Sequence, residues 1–214
     1  MDGTLVDTEP LWGIATYELS EHMGRRITPE VREQTVGGSF ENTVNILARY
    51  SGFLLDDAQI ARLRTIMHTR MAELLADGVE LNPGVCDVLE VLRSRSVPMW
   101  VTTNTAHVLA DPCIAFVGAD YFVEVLCGED VPEPKPAPDL YLEAARRAGC
   151  APADCLVLED SWAGMSAAAA AGCAVLGLAD VVPEGVLRFD PAAFAGADET
   201  AVAGWYARAR KLVG

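Results

Sequence analysis

The feature that most constrains the fold is a change of pattern at Asn82-Pro83-Gly84. After this turn, short apolar runs alternate with segments whose apolar residues recur at helical spacing. Such alternation builds a parallel sheet with helices on both faces. The predicted apolar runs are Met99–Thr102, Tyr121–Cys127, Cys155–Leu158 and Ala174–Leu178, and the predicted helices are Val85–Leu92, Leu140–Ala148, Ala163–Ala171 and a last helix through Arg208.

The segment before this turn has a helical pattern throughout. Ser39 is placed to cap one helix, and a longer helix is expected to begin near Asp56 or Asp57 and to end before Gly78. The fold class that follows is α/β, with a Rossmann-like parallel sheet core interrupted by an inserted α-helical cap. The predicted bounds are residues 1–8 and 79–214 for the core and residues 9–78 for the cap.

The charge balance restricts the partners of this chain. Its 214 residues carry 31 acidic and 16 basic side chains, a net charge of −15. This charge repels nucleic acid and anionic membranes, so we expect neither as a partner. No apolar stretch reaches the roughly 18 residues of a membrane span. We therefore expect a cytoplasmic monomer that acts on a small molecule.

The cysteines form no Cys-x-x-Cys pair, and no histidine lies near one of them in the sequence. A zinc site is therefore not expected. We interpret the cysteines as scattered, reduced thiols. They are Cys86, Cys113, Cys127, Cys150, Cys155 and Cys173.

Four segments place polar residues where a strand is expected to end, and active sites of open α/β sheets lie at such ends. Taken singly, each has an ordinary interpretation: a tight turn, a helix cap, a surface lysine, or a solvated pair of acids. Two are less ordinary, because prolines on both sides hold Lys135 and because Glu159 and Asp160 follow a buried strand. The segments are Asp2-Gly3-Thr4-Leu5-Val6-Asp7-Thr8-Glu9-Pro10, Val101-Thr102-Thr103-Asn104-Thr105, Pro134-Lys135-Pro136-Ala137-Pro138-Asp139 and Leu158-Glu159-Asp160-Ser161.

In this order the four segments resemble the signature motifs of the haloacid dehalogenase superfamily, and the resemblance covers nearly the whole chain. It implies a phosphoryl-transfer enzyme in which an aspartate attacks phosphorus and water then cleaves the aspartyl-phosphate. Asp2 matches the aspartate that protonates the leaving alcohol and activates water. Thr103 matches the residue that hydrogen-bonds the phosphoryl group, and Asn104 lies beside it.

The same resemblance implies roles for the charged residues of the other two segments. Lys135 matches the lysine that neutralises both the nucleophile and the phosphate. Glu159 and Asp160 match the acidic Mg²⁺ ligands, and the backbone carbonyl of Asp2 is implied as a further ligand. The implied cofactor is Mg²⁺, and the implied partner is a small phosphorylated metabolite.

At its start the sequence departs from the family pattern, an apolar strand followed by Asp-x-Asp-Gly-Thr. Met1 occupies the x position, so the nucleophile and the first strand would precede Met1. One interpretation is that the natural protein continues upstream, and the other is a short form without catalysis. We favour the first. We expect the chain that begins at Met1 to be inactive or nearly so, with a gap in its sheet.

The choice among the family's reactions depends on a few positions. Asp2 favours phosphate esters, since a leaving alcohol needs an acid. Residues 9–80 contain no lysine, which disfavours the phosphonate-cleaving branch. The run Asp7-Thr8-Glu9-Pro10-Leu11-Trp12 is more similar to the sugar-phosphate phosphatases, so we expect hydrolysis of a sugar or polyol phosphate. The alternatives are a β-phosphoglucomutase-like mutase and an inactive binding protein of this fold. Trp12, Arg49 and Gly37-Gly38-Ser39 are candidates for specificity.

Overall fold

The computed structural model describes residues 1–213. The helices are α1 (Glu9–His22), α2 (Pro29–Glu33), α3 (Phe40–Ser51), α4 (Asp57–Leu75), α5 (Val85–Ser94), α6 (His107–Val117), α7 (Asp139–Ala148), α8 (Trp162–Ala170) and α9 (Glu199–Ala209). The strands are β1 (Trp100–Thr103), β2 (Glu124–Cys127), β3 (Leu156–Glu159), β4 (Ala174–Gly177) and β5 (Leu187–Arg188). None of these helices combines the length and apolarity needed to cross a membrane.

The strands are short apolar runs that pair in parallel, and helices cover both of their faces. All four residues of β4 are buried. Leu176 of β4 belongs to a cluster with α5, α6 and α9. Val175 belongs to a second cluster, with α7 and α8. Because neighbouring strand residues point to opposite faces, this split establishes helices on both sides and confirms the predicted α/β fold class.

In residues 1–213 the strands form two sheets rather than one. β1 pairs with β2, and β3, β4 and β5 pair in that order. The first residues of the chain reach both sheets: Thr105, after β1, donates a hydrogen bond to Asp2 at 2.8 Å, and Thr4 donates to Asp160, after β3, at 2.8 Å. The Asp2-Gly3-Thr4 turn thus contacts the residues that follow β1 and β3, one strand of each sheet.

Helices α1 to α4 occupy the segment predicted as the cap and have an apolar cluster of their own, built on residues such as Leu19, Leu47, Leu63 and Met71. Leu109 of α6 belongs to the same cluster. The predicted bounds of cap and core stay a prediction, because a shared apolar cluster shows which residues touch and does not divide the chain into domains.

The helix starts in this segment follow the sequence closely. The Ser39 hydroxyl accepts a hydrogen bond from the Asn42 backbone N–H at 3.2 Å. The Asp56 carboxylate accepts one from Gln59 at 2.7 Å, which fixes the start of α4. Each cap satisfies a backbone donor that the first helical turn leaves unpaired.

Two antiparallel stretches join this helical segment to the sheets. The backbone N–H of Asp7 donates to Glu80 at 2.9 Å, and that of Asn82 donates to Leu5 at 3.0 Å. The Asn82 side chain also donates to the carbonyls of Gly3 and Thr4, at 2.9 and 3.1 Å. The Asn82-Pro83-Gly84 turn therefore holds the Asp2-Gly3-Thr4 turn in place.

Two elements were not predicted from the sequence. Helix α6 contains Pro112, which removes a backbone donor and interrupts the helical pattern. Strand β5 has two residues, too few for a periodic signal. The predicted run Tyr121–Cys127 forms a strand only from Glu124, because Ala119–Tyr121 is a 3₁₀ turn.

If residues 9–78 move as a unit on the two joining stretches, hydrogen exchange should report it. A phosphate analogue should increase protection at residues 37–40 and near residues 8–10 and 78–83, because closure buries these backbone groups. Exchange can be measured by mass spectrometry with and without the analogue. Identical protection in both states would contradict a mobile cap.

Candidate active site

All of the predicted site residues line one cleft of about 530 Å³ between the helical segment and the carboxyl ends of the strands. They are Asp2, Thr103, Asn104, Lys135, Glu159 and Asp160. Parallel strands bring their carboxyl ends to one edge, which explains why segments far apart in the sequence meet there.

A buried ion pair lies at the base of this cleft. The Lys135 ammonium donates hydrogen bonds to the Glu159 carboxylate and, at 3.0 Å, to the Thr102 carbonyl. The Tyr141 hydroxyl donates to the same Glu159 oxygen at 2.6 Å. Lys135 and Glu159 are each 5% exposed. Burial alone would raise the pKa of Glu159, but the charges of Lys135 and of the amino terminus, together with the hydrogen bonds from Lys135 and Tyr141, lower the pKa to about 2.

The start of α8 is shaped around Glu159. The second oxygen of this carboxylate accepts a hydrogen bond from the Ser161 hydroxyl at 3.2 Å. Ser161 also caps α8, because its hydroxyl accepts from the Gly164 N–H at 3.0 Å. A Cβ at Gly164 would lie 2.1 Å from the Glu159 carboxyl carbon, so only glycine allows the helix to approach so closely.

Asp160 lies against the turn formed by the first residues. Its carboxylate accepts a hydrogen bond from the Thr4 hydroxyl at 2.8 Å. Burial and the negative charge of Glu159 raise the pKa of Asp160. Gly3 has a positive φ of 67°, and a Cβ there would lie 2.1 Å from an Asp160 oxygen. The Asp2-Gly3-Thr4 turn and Asp160 are therefore in direct contact.

The Asp2 carboxylate accepts hydrogen bonds from both sides of the cleft. Thr8 and Trp12 donate to one oxygen, at 2.6 and 2.9 Å. Thr105 donates to the other at 2.8 Å. These three donors fix the orientation of the side chain that the resemblance assigns to proton transfer.

Thr103 and Asn104, at the end of β1, make two different sets of hydrogen bonds. Thr103, at the end of β1, is 4% exposed, and its hydroxyl accepts from the Thr105 N–H at 3.1 Å. The Asn104 amide oxygen accepts from the Lys135 N–H at 2.9 Å, and its NH₂ donates to the Lys135 carbonyl at 3.0 Å. Asn104 thus positions the lysine loop, a role that the resemblance did not imply.

The loop before α3 closes the cleft from the helical side. The Asn104 NH₂ also donates to the Gly37 carbonyl at 3.2 Å. Gly37 has a φ of 68°, and a Cβ there would lie 2.3 Å from the Ser161 Cβ. Glycine at position 37 therefore permits the closest contact between the loop and the residues after β3.

The helical segment supplies a second buried cation. Arg32, which is 8% exposed, donates to Glu9 at 2.5 Å and to Thr35 at 2.8 Å. Burial raises the pKa of Glu9 although Arg32 opposes this shift. Within the described residues, the Arg32 Nε has no hydrogen-bond partner.

The sequence comparison decides the family. A family model described as haloacid dehalogenase-like hydrolase matches residues 1–172. The chain belongs to the haloacid dehalogenase-like hydrolases.

Individual relatives agree with this family. The chain is 37% identical over 125 residues to protein CbbY of Rhodobacter capsulatus, a match that spans 56% of this chain and 55% of CbbY, about half of that protein's length. It is 34% identical over 173 residues to the fructose-1-phosphate phosphatase YqaB of Escherichia coli (strain K12), covering 80% of this chain and 89% of YqaB. β-Phosphoglucomutase of Clostridium difficile shares the fold, with a TM-score of 0.82 and 17% identity over 97% of this chain and 94% of that one.

Sequence reasoning missed several residues that position the side chains of this haloacid dehalogenase-like hydrolase. Thr4, Thr8 and Thr105 lie inside the quoted motifs and could have been identified as hydrogen-bond donors. No sequence pattern pointed to Tyr141 or Arg32, because their carboxylate partners lie far from them along the chain. Among the candidates for specificity, Trp12 and Gly37-Gly38-Ser39 line the cleft. Arg49 was wrong as a cleft residue, since it lies on the exposed side of α3 and donates to its own helix at Asn45.

The close approach at Gly37 leads to a first test in this hydrolase. In the protein completed upstream by the strand and aspartate that the family pattern places before Met1, Gly37→Ala should lower kcat/KM by about 10-fold or more, because the added methyl group pushes the loop away from Ser161. The matched control is Gly52→Ala, also in the helical segment, with a φ of 74° and no atom within 4 Å of the added Cβ. Both variants carry similar backbone strain, and only Gly37→Ala disturbs the cleft. Equal activity losses in the two variants would contradict the loop contact.

A second test concerns the edge of the cleft. His107, at the start of α6, contacts Asp111 at 3.1 Å and Asp130 at 2.8 Å. The hydrogen bond to Asp111, together with the one to Asp130, raises the pKa of His107 above its ordinary value of 6.5. The stabilisation is therefore complete below pH 6.5 and is lost as the pH rises through the higher folded-state pKa. His107→Gln should remove this pH dependence of the free energy of unfolding, which urea titrations at several pH values measure. An unchanged pH dependence in the variant would refute the stabilising role of His107.

Proposed function

We propose that this chain forms part of a Mg²⁺-dependent phosphatase that hydrolyses a small phosphorylated metabolite, a sugar or polyol phosphate. The observation that carries the proposal is the cleft that gathers Lys135, Thr103, Asp2 and Asp160 beside the carboxyl ends of β1 and β3. Hydrolysis of a phosphate monoester needs charge neutralisation, a proton for the leaving oxygen and a metal ion, and these residues supply such groups.

Each of the cleft residues has a role in this proposal. Lys135 neutralises charge on the phosphoryl group, and Thr103 donates a hydrogen bond to it. Asp2 gives a proton to the leaving alcohol and later takes one from the attacking water. The hydrogen bonds from Thr8, Trp12 and Thr105 hold the Asp2 carboxylate in a fixed position, so that proton transfer needs little rearrangement.

The residues present fit a Mg²⁺ ion by their chemistry. Asp160, Glu159 and the backbone carbonyl of Asp2 offer oxygen atoms only, the ligand type that Mg²⁺ prefers. The charge of Glu159 contributes to the raised pKa of Asp160, and a divalent cation would relieve that repulsion. Glu159 is also bonded to Lys135, so Asp160 is the carboxylate with fewer ties to the protein. When bound, the ion would stabilise negative charge on the phosphoryl oxygens.

The nucleophile belongs to the proposal as well. The family pattern puts the attacking aspartate immediately before Met1, and we infer an aspartyl-phosphate intermediate on that residue. Asp2 cannot replace it, because a carboxylate placed to protonate the leaving oxygen cannot also attack phosphorus from the opposite side. The polypeptide of residues 1–214 alone is therefore expected to be inactive.

The lining of the cleft and the names of the relatives support the proposed substrate class. YqaB is named as a fructose-1-phosphate phosphatase. In this chain, Asp2 lines the cleft together with Glu9, Arg32 and the indole of Trp12, which belong to the helical segment. Carboxylates, a guanidinium and an aromatic face are suited to the hydroxyl groups of a sugar or polyol.

The direct test compares two proteins, residues 1–214 alone and the same chain completed upstream by an apolar strand that ends in Asp-Met1. The completed protein should hydrolyse sugar and polyol phosphates only with Mg²⁺, and residues 1–214 alone should not. Phosphate release is measured over a panel of sugar, polyol and phosphonate substrates. Robust Mg²⁺-dependent turnover by residues 1–214 alone would overturn the proposed nucleophile, and phosphate transfer within a hexose phosphate would favour the mutase.

A variant of Asp2 tests proton transfer in the completed protein. Asp2→Asn should lower turnover of alkyl phosphates by about 100-fold or more, because general acid catalysis is lost. In the first turnover, before the aspartyl-phosphate is hydrolysed, it should slow the release of p-nitrophenol from p-nitrophenyl phosphate much less, since that leaving group needs little protonation. Equal losses on both substrates would refute the role of Asp2 as the acid.

Thermal unfolding tests the metal assignment. Mg²⁺ should raise the Tm of the completed protein, because a ligand that binds only the folded state stabilises it. Asp160→Asn should remove most of this increment. Asp154→Asn, an exposed aspartate paired with Arg210, is the matched control and should keep it. A full Mg²⁺ response in Asp160→Asn would place the ion elsewhere.

A further inference from the structure

Three of the cysteines come together at the amino ends of β3 and β4, which corrects our expectation of scattered thiols. In the parallel register, Leu156 of β3 pairs with Ala174 of β4. The residues just before them, Cys155 and Cys173, are therefore neighbours, and the Ala174 N–H donates to the Cys155 carbonyl at 3.0 Å. Cys155 lies close enough to Cys173 to lower the pKa of the Cys173 thiol.

The turn after α7 brings in a third thiol. Gly149 ends α7 with a left-handed φ of 70°, and the Cys150 N–H then donates to the Ala145 carbonyl at 3.1 Å. The 3₁₀ turn Pro152–Asp154 reverses the chain toward β3. As a result, the Sγ atoms of Cys150 and Cys155 lie 3.4 Å apart.

Accessibility sets these thiols apart from the others. Cys150 is exposed and Cys155 is half-buried, whereas Cys173 is buried. Cys86 is also exposed, and no hydrogen bond joins it to another cysteine among the described residues. Cys113 and Cys127 are 3% and 0% exposed. The pair Cys150–Cys155 therefore combines access from solvent with a partner sulfur within reach.

We propose that Cys150 and Cys155 are an oxidative modification site that forms an intramolecular disulfide with a hydroperoxide as oxidant. The exposed Cys150 thiolate attacks the peroxide O–O bond and becomes a sulfenic acid, releasing water. The Cys155 sulfur then attacks the Cys150 sulfur, the S–S bond forms, and the hydroxyl leaves as a second water. Two thiols and one H₂O₂ give one disulfide and two H₂O, so the two thiols lose two electrons to the peroxide.

The pair lies at the opposite end of β3 from the cleft. Cys155 precedes the strand, and Glu159 is its last residue. At the ordinary rise of a strand, about 3.3 Å per residue, the two positions are roughly 13 Å apart. Oxidation of the pair should therefore leave the cleft residues untouched, and its detection needs no enzymatic activity.

Thiol counting and peptide mapping test the proposal on the protein itself. The protein is treated with hydrogen peroxide at alkaline pH, because burial raises the pKa of the Cys150 thiol and the thiolate is the reactive form. It should lose two of its six thiols, and dithiothreitol should restore both. Cleavage before Asp154 and Asp160 separates Cys150, Cys155 and Cys173 into different peptides, so mass spectrometry identifies the bonded pair.

Two variants complete the design. Cys150→Ser should abolish the cross-link, and Cys86→Ser, the matched exposed control, should leave it intact. The proposal is overturned if the untreated and treated proteins have equal thiol counts, or if the lost thiols are found as sulfinic acids. It is also overturned if the cross-link joins any pair other than Cys150 and Cys155, or if it persists in Cys150→Ser.

Discussion

The buried ion pair of Lys135 and Glu159 is the contact on which the arrangement of the cleft depends. Two opposite charges, each 5% exposed, cannot be separated inside the protein without leaving one charge unpaired. The contact ties the loop before α7 to the end of β3, and the Thr102 carbonyl ties both to the end of β1. It therefore connects the two sheets at their carboxyl ends.

The other contacts of the cleft extend from this pair. Asn104 bonds the backbone of Lys135 on one side and Gly37 of the helical segment on the other. Asp160, the neighbour of Glu159, is held by Thr4. The helical segment thus contacts a surface on which hydrogen bonds and the ion pair already hold Lys135, Glu159 and Asp160 in position. In the proposed phosphatase, Lys135 would be in place before a substrate binds, which would reduce the reorganisation that charge stabilisation needs.

The sequence predicted the fold class because strand–helix alternation and helix caps are local signals. Ser39 and Asp56 cap the helices that they were expected to begin. The meeting of the motif residues in one cleft was also predictable, because the segments that carry them follow strands whose carboxyl ends lie together. The pairing of Tyr141 with Glu159 and the burial of Arg32 were not predictable, because they depend on how helices pack.

The cysteines show the same limit. The spacing of the cysteines along the chain predicted scattered thiols, whereas the register of β3 with β4 places Cys155 beside Cys173. Helix α6 was missed because Pro112 breaks the pattern by which a helix is recognised, although the flanking turns remain helical. In both cases tertiary packing decided what local sequence could not.

The most direct test of the central claim is a comparison of Lys135→Met, Glu159→Gln and the double variant in the completed protein, with urea unfolding and phosphatase turnover measured on each. Each single variant should lose about 3–5 kcal/mol of stability, because a buried charge is left without its partner. The double variant should regain most of that stability and still lack turnover by a factor of about 100 or more, because the lysine ammonium that neutralises the phosphoryl group is gone. Recovery of turnover together with stability in the double variant would contradict the account.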